Sequence, residues 1–221
     1  MSRIDPDELQ RLRSEYIGEP FRRHDLPEDP LVLFRRWFDA AVDSGAPQPN
    51  AMVLATSDRA GVPQARLVLL KSADRDGFSF FTNYTSSKAR QLDACGIACL
   101  LFFWHELHRQ VRIEGLVERV PEEESDAYFA SRPRGAQIGA WASPQSQPLE
   151  SREVLEQRVG EISARFADAE VPRPDHWGGY RLRPRSYEFW QGRENRLHDR
   201  FRYAAEEVGH GALWRLARLA P

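Results

Sequence analysis

The sequence predicts an α+β fold, an antiparallel barrel with helices packed outside it. Three observations carry that expectation. Short runs rich in branched and aromatic residues follow one another with tight-turn signals between them, the pattern of an antiparallel meander. A few segments with apolar residues three and four apart add amphipathic helices before, within and after those runs. No internal repeat or low-complexity tract breaks the pattern, so many short strands and a few helices share one fold.

Taken in order, residues 1–28 are polar and charged, with the basic cluster Phe21-Arg22-Arg23-His24, and read as a flexible N-terminal arm before a single domain over 29–221. Asp29 can cap a helix and Pro30 suits its first turn. Phe34, Trp37, Phe38, Ala41 and Val42 form its apolar stripe until Gly45 ends it. From Ala51 the period shortens: AMVLATS, QARLVLLK and FSFFTN read as strands separated by DRAG and ADRDG. A short helix over 86–94 interrupts them, and IACLLFFW and RQVRIEGLVERV resume. In the second of these, Val111, Ile113 and Val117 alternate with Gln110, Arg112, Glu114 and Glu118, so one face is buried and one polar. Helices return at 122–130 and at 149–166, where Leu155, Val159, Ile162 and Phe166 keep helical spacing. In the tail, Gly178-Gly179 opens YRLRPRSYEFW, and RFRYAAEE and ALWRLARL follow, with loops at GRENRLHD and VGHG.

Composition narrows the function classes. Hydrophobic residues are 41% of 221, which suits a globular chain and not a disordered one. Lys and Arg number 31 against 33 Asp and Glu, a formal charge of −2, so no chain-wide positive field attracts nucleic acid or anionic lipid and any anion site is local. The longest apolar run, IACLLFFW, falls far short of the ~20 residues of a membrane-spanning helix. Charges stand where a secretory signal would place its apolar core, so a cytoplasmic protein without membrane partners is expected. Cys95 and Cys99 lack a zinc spacing and read as buried small residues, with no metal expected.

Four cation-rich places stand out. Arg66 to Lys71 (RLVLLK) forms a strand whose charged ends face opposite sides, and spacing alone favours ordinary strand ends. Thr82 to Lys88 (TNYTSSK) leads into a helix whose free amides suit a phosphate, although serine capping explains the same residues. Tyr128 to Arg134 ends a helix in a proline stop, where arginines often only complement the dipole. In EFWQGRENRLHDR, the neighbouring arginines disfavour a protonated His198 unless an anion compensates, with Asp199 as the candidate partner. GxSxG, P-loop, HExxH and GxGxxG patterns are absent, which leaves anion binding as the chemistry with a handle.

The strings RLVLLK, FTNYTSSK, RQVRIEG, YFASRPRGAQIGAWASPQS, WGGY, EFWQGRENRLHDR and the final RLAP resemble, in order and separation, the pyridoxine/pyridoxamine 5'-phosphate oxidase family, from about Arg13 to Pro221. The resemblance implies an FMN-binding antiparallel split β-barrel and a homodimer with flavin at its interface. It also implies oxidation of pyridoxamine or pyridoxine 5'-phosphate to pyridoxal 5'-phosphate with O2 as acceptor, giving hydrogen peroxide, and ammonia from the amine. By position, FMN would be held by Arg66, Leu67, Val68, Leu69, Leu70, Lys71, Phe81, Thr82, Lys88, Gln110, Gln145, Ser146, Trp190 and Arg200. Substrate would be met by Lys71, Tyr128, Arg132, Leu197 and, from an arm that folds over as a lid, Arg13 and Tyr16. Arg196 and His198 would stand over the reacting carbon as the catalytic pair. Two positions depart from the family pattern: Ser87 stands where the family carries Arg, and Ala136 where it carries Ser, each removing one phosphate contact.

Three other readings stand beside this one: a non-catalytic flavin-binding split barrel, a related flavin oxidase with a shifted substrate, and a nucleic-acid-binding barrel. The net charge of −2 weighs against the last, and retention of RLHDR against a shifted substrate.

Overall fold

The computed structural model describes residue 12 and residues 15–208 and 211–221; Arg13, the rest of the first fourteen residues and positions 209 and 210 of the VGHG turn lie outside the described residues. Five α-helices occur among the described residues: α1 (Pro30–Asp43), α2 (Ser87–Cys95), α3 (Glu122–Ala130), α4 (Arg134–Ala142) and α5 (Arg152–Arg165). The strands are β1 (Ala51–Ser57), β2 (Pro63–Leu69), β3 (Ser72–Asp74), β4 (Gly77–Asn83), β5 (Ile97–Trp104), β6 (Arg109–Arg119), β7 (Trp177–Gln191), β8 (Asp199–Val208) and β9 (Gly211–Leu219). They join in the order β2-β1-β5-β6-β7-β4-β3, with β8 paired to β7 and β9 to β8. The pairings β1–β2, β1–β5, β3–β4, β4–β7 and β8–β9 are antiparallel, with Ala51 opposite Leu69, Phe78 opposite Leu182 and Arg200 opposite Leu219. The expected α+β class is the one observed.

The chain divides into two compact units, one of residues 1–49, 103–111 and 187–221, the other of residues 50–102 and 112–186. In the first, α1 begins where the Asp29 carboxylate accepts the Leu31 amide at 2.9 Å, and Gly45 at φ 73° ends it. Its buried residues are Pro30, Leu31, Leu33, Phe34, Trp37 and Ala41. The stripe is therefore rotated from the expected one, and Val42 at its far edge is 50% exposed. Trp37 packs against Phe21 (5.0 Å between centroids) and Phe189 (5.3 Å), and Phe21 meets Phe201 edge-on. Phe21, read from sequence as part of a basic cluster, is thus a core residue.

In the second unit β1 alternates strictly, burying Met52, Leu54 and Thr56, while β4 is buried on both faces and contributes Phe78 and Phe80. Phe129, Ile138, Phe166, Val171 and Trp177 form a separate cluster joining α3, α4 and the end of α5 to the start of β7.

Several local expectations change. The strand over 64–71 stops at Leu69, because the amides of Leu70 and Lys71 turn to Asn50 O and Ser79 O, both at 2.9 Å. The helix over 149–166 starts at Arg152, where Ser151 supplies the cap. Helix α4 has no counterpart in the sequence reading: Pro133 closes α3 in that reading, yet its carbonyl also accepts the amides of Ala136 and Gln137 and starts α4. Arg134 does not complement the end of α3: its guanidinium donates to Phe166 O, Ala167 O and Ala169 O in the turn that follows α5. Cys95 and Cys99, read from sequence as buried, are half-buried.

Gly115 of β6 is where β7 comes closest, since a Cβ there would lie 2.0 Å from the Arg183 carbonyl oxygen, whereas one on Gly160 in α5 would meet nothing within 4 Å. Gly115→Ala should cost about 3 kcal/mol or more, or prevent soluble expression. Gly160→Ala should gain roughly 0.5–1 kcal/mol. Urea unfolding of both variants checks the pair.

Candidate functional site

The second unit holds a cleft of ≈ 510 Å³ between β2, β4, α3 and α4. Leu67, Val68, Leu69, Lys71, Phe81, Thr82, Lys88, Tyr128, Arg132 and Gln145 line it, ten of the residues singled out from sequence, and Ala136 lines it too. Arg66, Ser87, Ser146, Lys88 and Gln145 border a second recess of ≈ 540 Å³, so Arg66 and Lys71 serve different hollows. Leu70 is buried and lines neither.

One wall of the cleft is aromatic. Phe81 stacks on Tyr128 with centroids 4.1 Å apart and on Trp177 at 5.6 Å, and Trp177 lies within 12° of the plane of either ring. Trp177 is absent from the sequence-derived site. The available signal was the glycine pair after it: Gly179 faces Phe81 across the β4–β7 ladder, and a Cβ there would lie 2.7 Å from the Phe81 ring.

Around these rings the cations are held by neutral groups. Lys88 Nζ donates to Gln145 Oε1 (3.0 Å), Thr82 Oγ1 (3.2 Å) and Ser86 Oγ (3.3 Å), and burial followed by repulsion from Arg66 lowers its pKa. Arg66 donates to Leu54 O (3.0 Å), Thr56 Oγ1 (2.6 Å) and Gln91 Oε1 (3.3 Å). Lys71 Nζ stands 5.6 Å from the centre of the Tyr128 ring. Arg132 lies over Trp177 at 4.5 Å; its pKa is lowered by burial, and its Nη1 is buried without a partner. Among the described residues none of these four cations has an ion pair, whereas Arg119, Arg173, Arg181 and Arg183 each hold a carboxylate. Lys71 is exposed and Arg66, Lys88 and Arg132 are half-buried; with no carboxylate beside any of them, this region keeps a net positive charge that an anion would complement. Ser86 caps α2 by accepting the Ala89 amide, the ordinary reading of that serine.

The GRENRLHDR segment belongs to the first unit. Trp190 sits on β7, half-buried Gln110 on β6, and Asn195 and Arg196 adopt left-handed backbone (φ 56° and 62°), which folds the loop back on itself. Asp199 is not the partner of His198. Its carboxylate is buried, accepts from Arg218 and from the Phe21 amide (3.2 Å), and lies 3.8 Å from Arg193. His198 Nδ1 instead accepts the Arg193 main-chain N–H at 3.1 Å. Burial, then Arg196 and Arg200, lower the His198 pKa, the direction expected from sequence. Arg200 gives Nε and Nη2 to the buried Glu188 (3.0 and 2.8 Å) and Nη1 to Ala220 O. Leu197 is exposed. Tyr16 meets the rings of His108 (5.0 Å), Trp190 and His198 (both 5.5 Å) edge-on. Arg13 lies outside the described residues.

Comparison with known proteins agrees with this architecture. A family model described as pyridoxamine 5'-phosphate oxidase matches residues 38–166, and one described as the pyridoxine 5'-phosphate oxidase C-terminal dimerisation region matches residues 177–221. The pyridoxine/pyridoxamine 5'-phosphate oxidase of Polynucleobacter asymbioticus is 54% identical over 97% of this chain and 100% of that protein. That of Rubrobacter xylanophilus is 55% identical over 97% of each. Among solved structures, PhzG from Burkholderia lata, in complex with tetrahydrophenazine-1-carboxylic acid, is 33% identical with a TM-score of 0.84, covering 92% of this chain and 99% of that one. Matches of this extent put the chain among the split-barrel oxidoreductases. Within them, it belongs to the pyridoxamine 5'-phosphate oxidase family.

The unpaired cations make a prediction that needs no cofactor. Inorganic phosphate should raise the melting temperature of flavin-free protein more than chloride does at equal ionic strength, and Arg132→Leu should shrink the difference. The substitution itself should cost less than about 1 kcal/mol, because it also removes a buried unsatisfied donor. Differential scanning fluorimetry reads both effects.

Proposed function

We propose that the protein is an FMN-dependent oxidase, a homodimer that converts pyridoxamine 5'-phosphate and pyridoxine 5'-phosphate to pyridoxal 5'-phosphate with O2 as electron acceptor. Hydrogen peroxide is the co-product, with ammonia released from the amine. The observation that carries this reading is a stacked aromatic wall beside three cations without carboxylates, Lys71, Lys88 and Arg132, the last with an orphaned buried nitrogen, and a fourth, Arg66, in the adjoining recess. Such a cleft suits flat ligands that each bear a phosphate. The named relatives at 54–55% identity support the same chemistry.

FMN, when bound, supplies the two-electron acceptor that takes hydride from the substrate carbon. In this reading Arg66, Lys88, Ser146 and Gln145 hold the flavin phosphate, with the backbone of 66–71, Phe81, Thr82, Gln110, Trp190 and Arg200 around the rest of the flavin. Lys71, Tyr128 and Arg132 receive the substrate phosphate. Arg196 and His198 orient the substituent being oxidised, with Leu197 and Tyr16 beside the substrate.

A second reading is favoured by PhzG, whose structure holds a carboxylic acid without phosphate. On that reading this chain is a related oxidase acting on another planar anion, and Ala136 in place of the family's Ser is the position that differs at the substrate end. Assays separate the two.

Flavin released from purified protein should run as FMN, and oxygen uptake with pyridoxamine 5'-phosphate should yield pyridoxal 5'-phosphate. A yellow protein inert to both phosphorylated substrates would overturn the assignment. Arg196→Leu should lower turnover by about a hundredfold or more while flavin content holds. Ala136→Ser should tighten binding of pyridoxal 5'-phosphate by about tenfold or less, since water can serve a phosphate in place of the missing hydroxyl. Arg132→Ala should weaken it by more than Ala136→Ser strengthens it. If neither variant shifts the dissociation constant, the phosphate does not bind there.

A further inference from the structure

We infer that Arg193 is the positioning residue of His198: its main-chain N–H, given to Nδ1, holds the imidazole in the tautomer with its proton on Nε2, so that His198 serves the site as a hydrogen-bond donor and not as a base. The inference rests on the functional reading above for the statement that His198 faces substrate. Its geometric part stands alone.

A main-chain amide can only donate, so the 3.1 Å contact from Arg193 N requires Nδ1 to be bare. The remaining proton of a neutral ring then sits on Nε2. Protonating the ring would set an Nδ1–H against the Arg193 N–H, exchanging a hydrogen bond for a repulsion. Around the ring, Arg196 from the loop and Arg200 from β8 both oppose the cation. Trp190 of β7 (4.5 Å between centroids) and Tyr16 (5.5 Å) present rings. The nearest carboxylate in sequence, Asp199, is turned to Arg193, Arg218 and the Phe21 amide.

Arg193 is itself fastened at its far end. Its Nη1 donates to Gly18 O and its Nε lies 3.8 Å from Asp199, while the left-handed Asn195 and Arg196 let the chain reverse so that residue 198 returns to the amide of residue 193. Two non-glycine residues in that region cost on the order of 1 kcal/mol each, a strain that the anchored Arg193 side chain helps the loop to hold. A neutral Nε2–H donor matches an acceptor lone pair, which both an alcohol oxygen and an unprotonated amine offer. It does not match an ammonium.

The test is nuclear magnetic resonance of the full protein with 15N-labelled histidine, with and without FMN, His198 being assigned by difference from His198→Gln. The expected result is an Nε2-protonated neutral ring at neutral pH, with a titration midpoint below the ordinary 6.5. In Arg193→Ala, which keeps the amide but loses both side-chain anchors, the midpoint should rise and the Nδ1–H tautomer should appear; Arg193→Lys should restore part of the wild-type signal. A wild-type ring carrying its proton on Nδ1, or charged at neutral pH, overturns the inference whatever the variants do. For the donor role, His198→Gln, whose amide N–H reaches toward the Nε2 position, should keep turnover within about tenfold of wild type while His198→Leu loses more. Equal losses in the two would also overturn it. Full turnover in His198→Leu would instead overturn the functional reading, a failure that the tautomer measurement does not share.

Discussion

Holding positive charge without acidic neighbours is the constraint on which the arrangement of the second unit depends. Arg66 and Lys71 come from one segment and Lys88 and Arg132 from two others, and each needs support that neither neutralises it nor lets it swing away. The fold supplies amides, hydroxyls and π faces: Thr56 and Gln91 for Arg66, Thr82 and Gln145 for Lys88, Tyr128 for Lys71, Trp177 for Arg132. Each fixes direction and leaves net charge in place. Elsewhere in the same unit arginines are treated in the opposite way, with Arg181 on Glu124 and Arg173 on Asp126. A chain with net charge −2 can thus keep a strongly cationic hollow, because its acids are spent on other arginines.

In the first unit the handling of charge runs the other way. Asp199 and Glu188 are buried and each holds an arginine, Arg218 and Arg200 respectively. Those pairs bind the β8–β9 ladder to the RLHDR segment, and the Arg193 guanidinium shares Asp199. The loop carrying Arg196 and His198 therefore has rigid supports on both sides of its left-handed turn. Preorganisation of that kind keeps a donor aimed before any ligand arrives.

Much of this was legible in the sequence where local period and chemistry agree. The strand at AMVLATS, the alternation of β6, the Asp29-Pro30 start and Gly45 stop of α1, and the serine cap of α2 are local signals, and the structure follows them. Helix α4 was not legible because Pro133 serves as both a stop and a start, and the glycines in RGAQIGAWA weaken the helical pattern. The cleft residues could be collected by resemblance, but their division into two hollows depends on which way β2 turns after Leu69, a fact of cross-strand hydrogen bonding. Trp177 joins the aromatic wall through the β4–β7 register, and Asp199 chooses Arg218 through the β8–β9 pair. Partners set by register have no trace in spacing along one strand.

Lys88 and Gln145 border both hollows. One ammonium therefore has two claimants, and an anion seated beside Arg66 spends part of the attraction that a second anion beside Tyr128 would feel. Linkage makes the penalty mutual, since whatever the first guest takes from the second, the second takes from the first. Loading of the two hollows is then antagonistic at the level of charge even where the guests never touch, and a rise in free phosphate would loosen the hold on both.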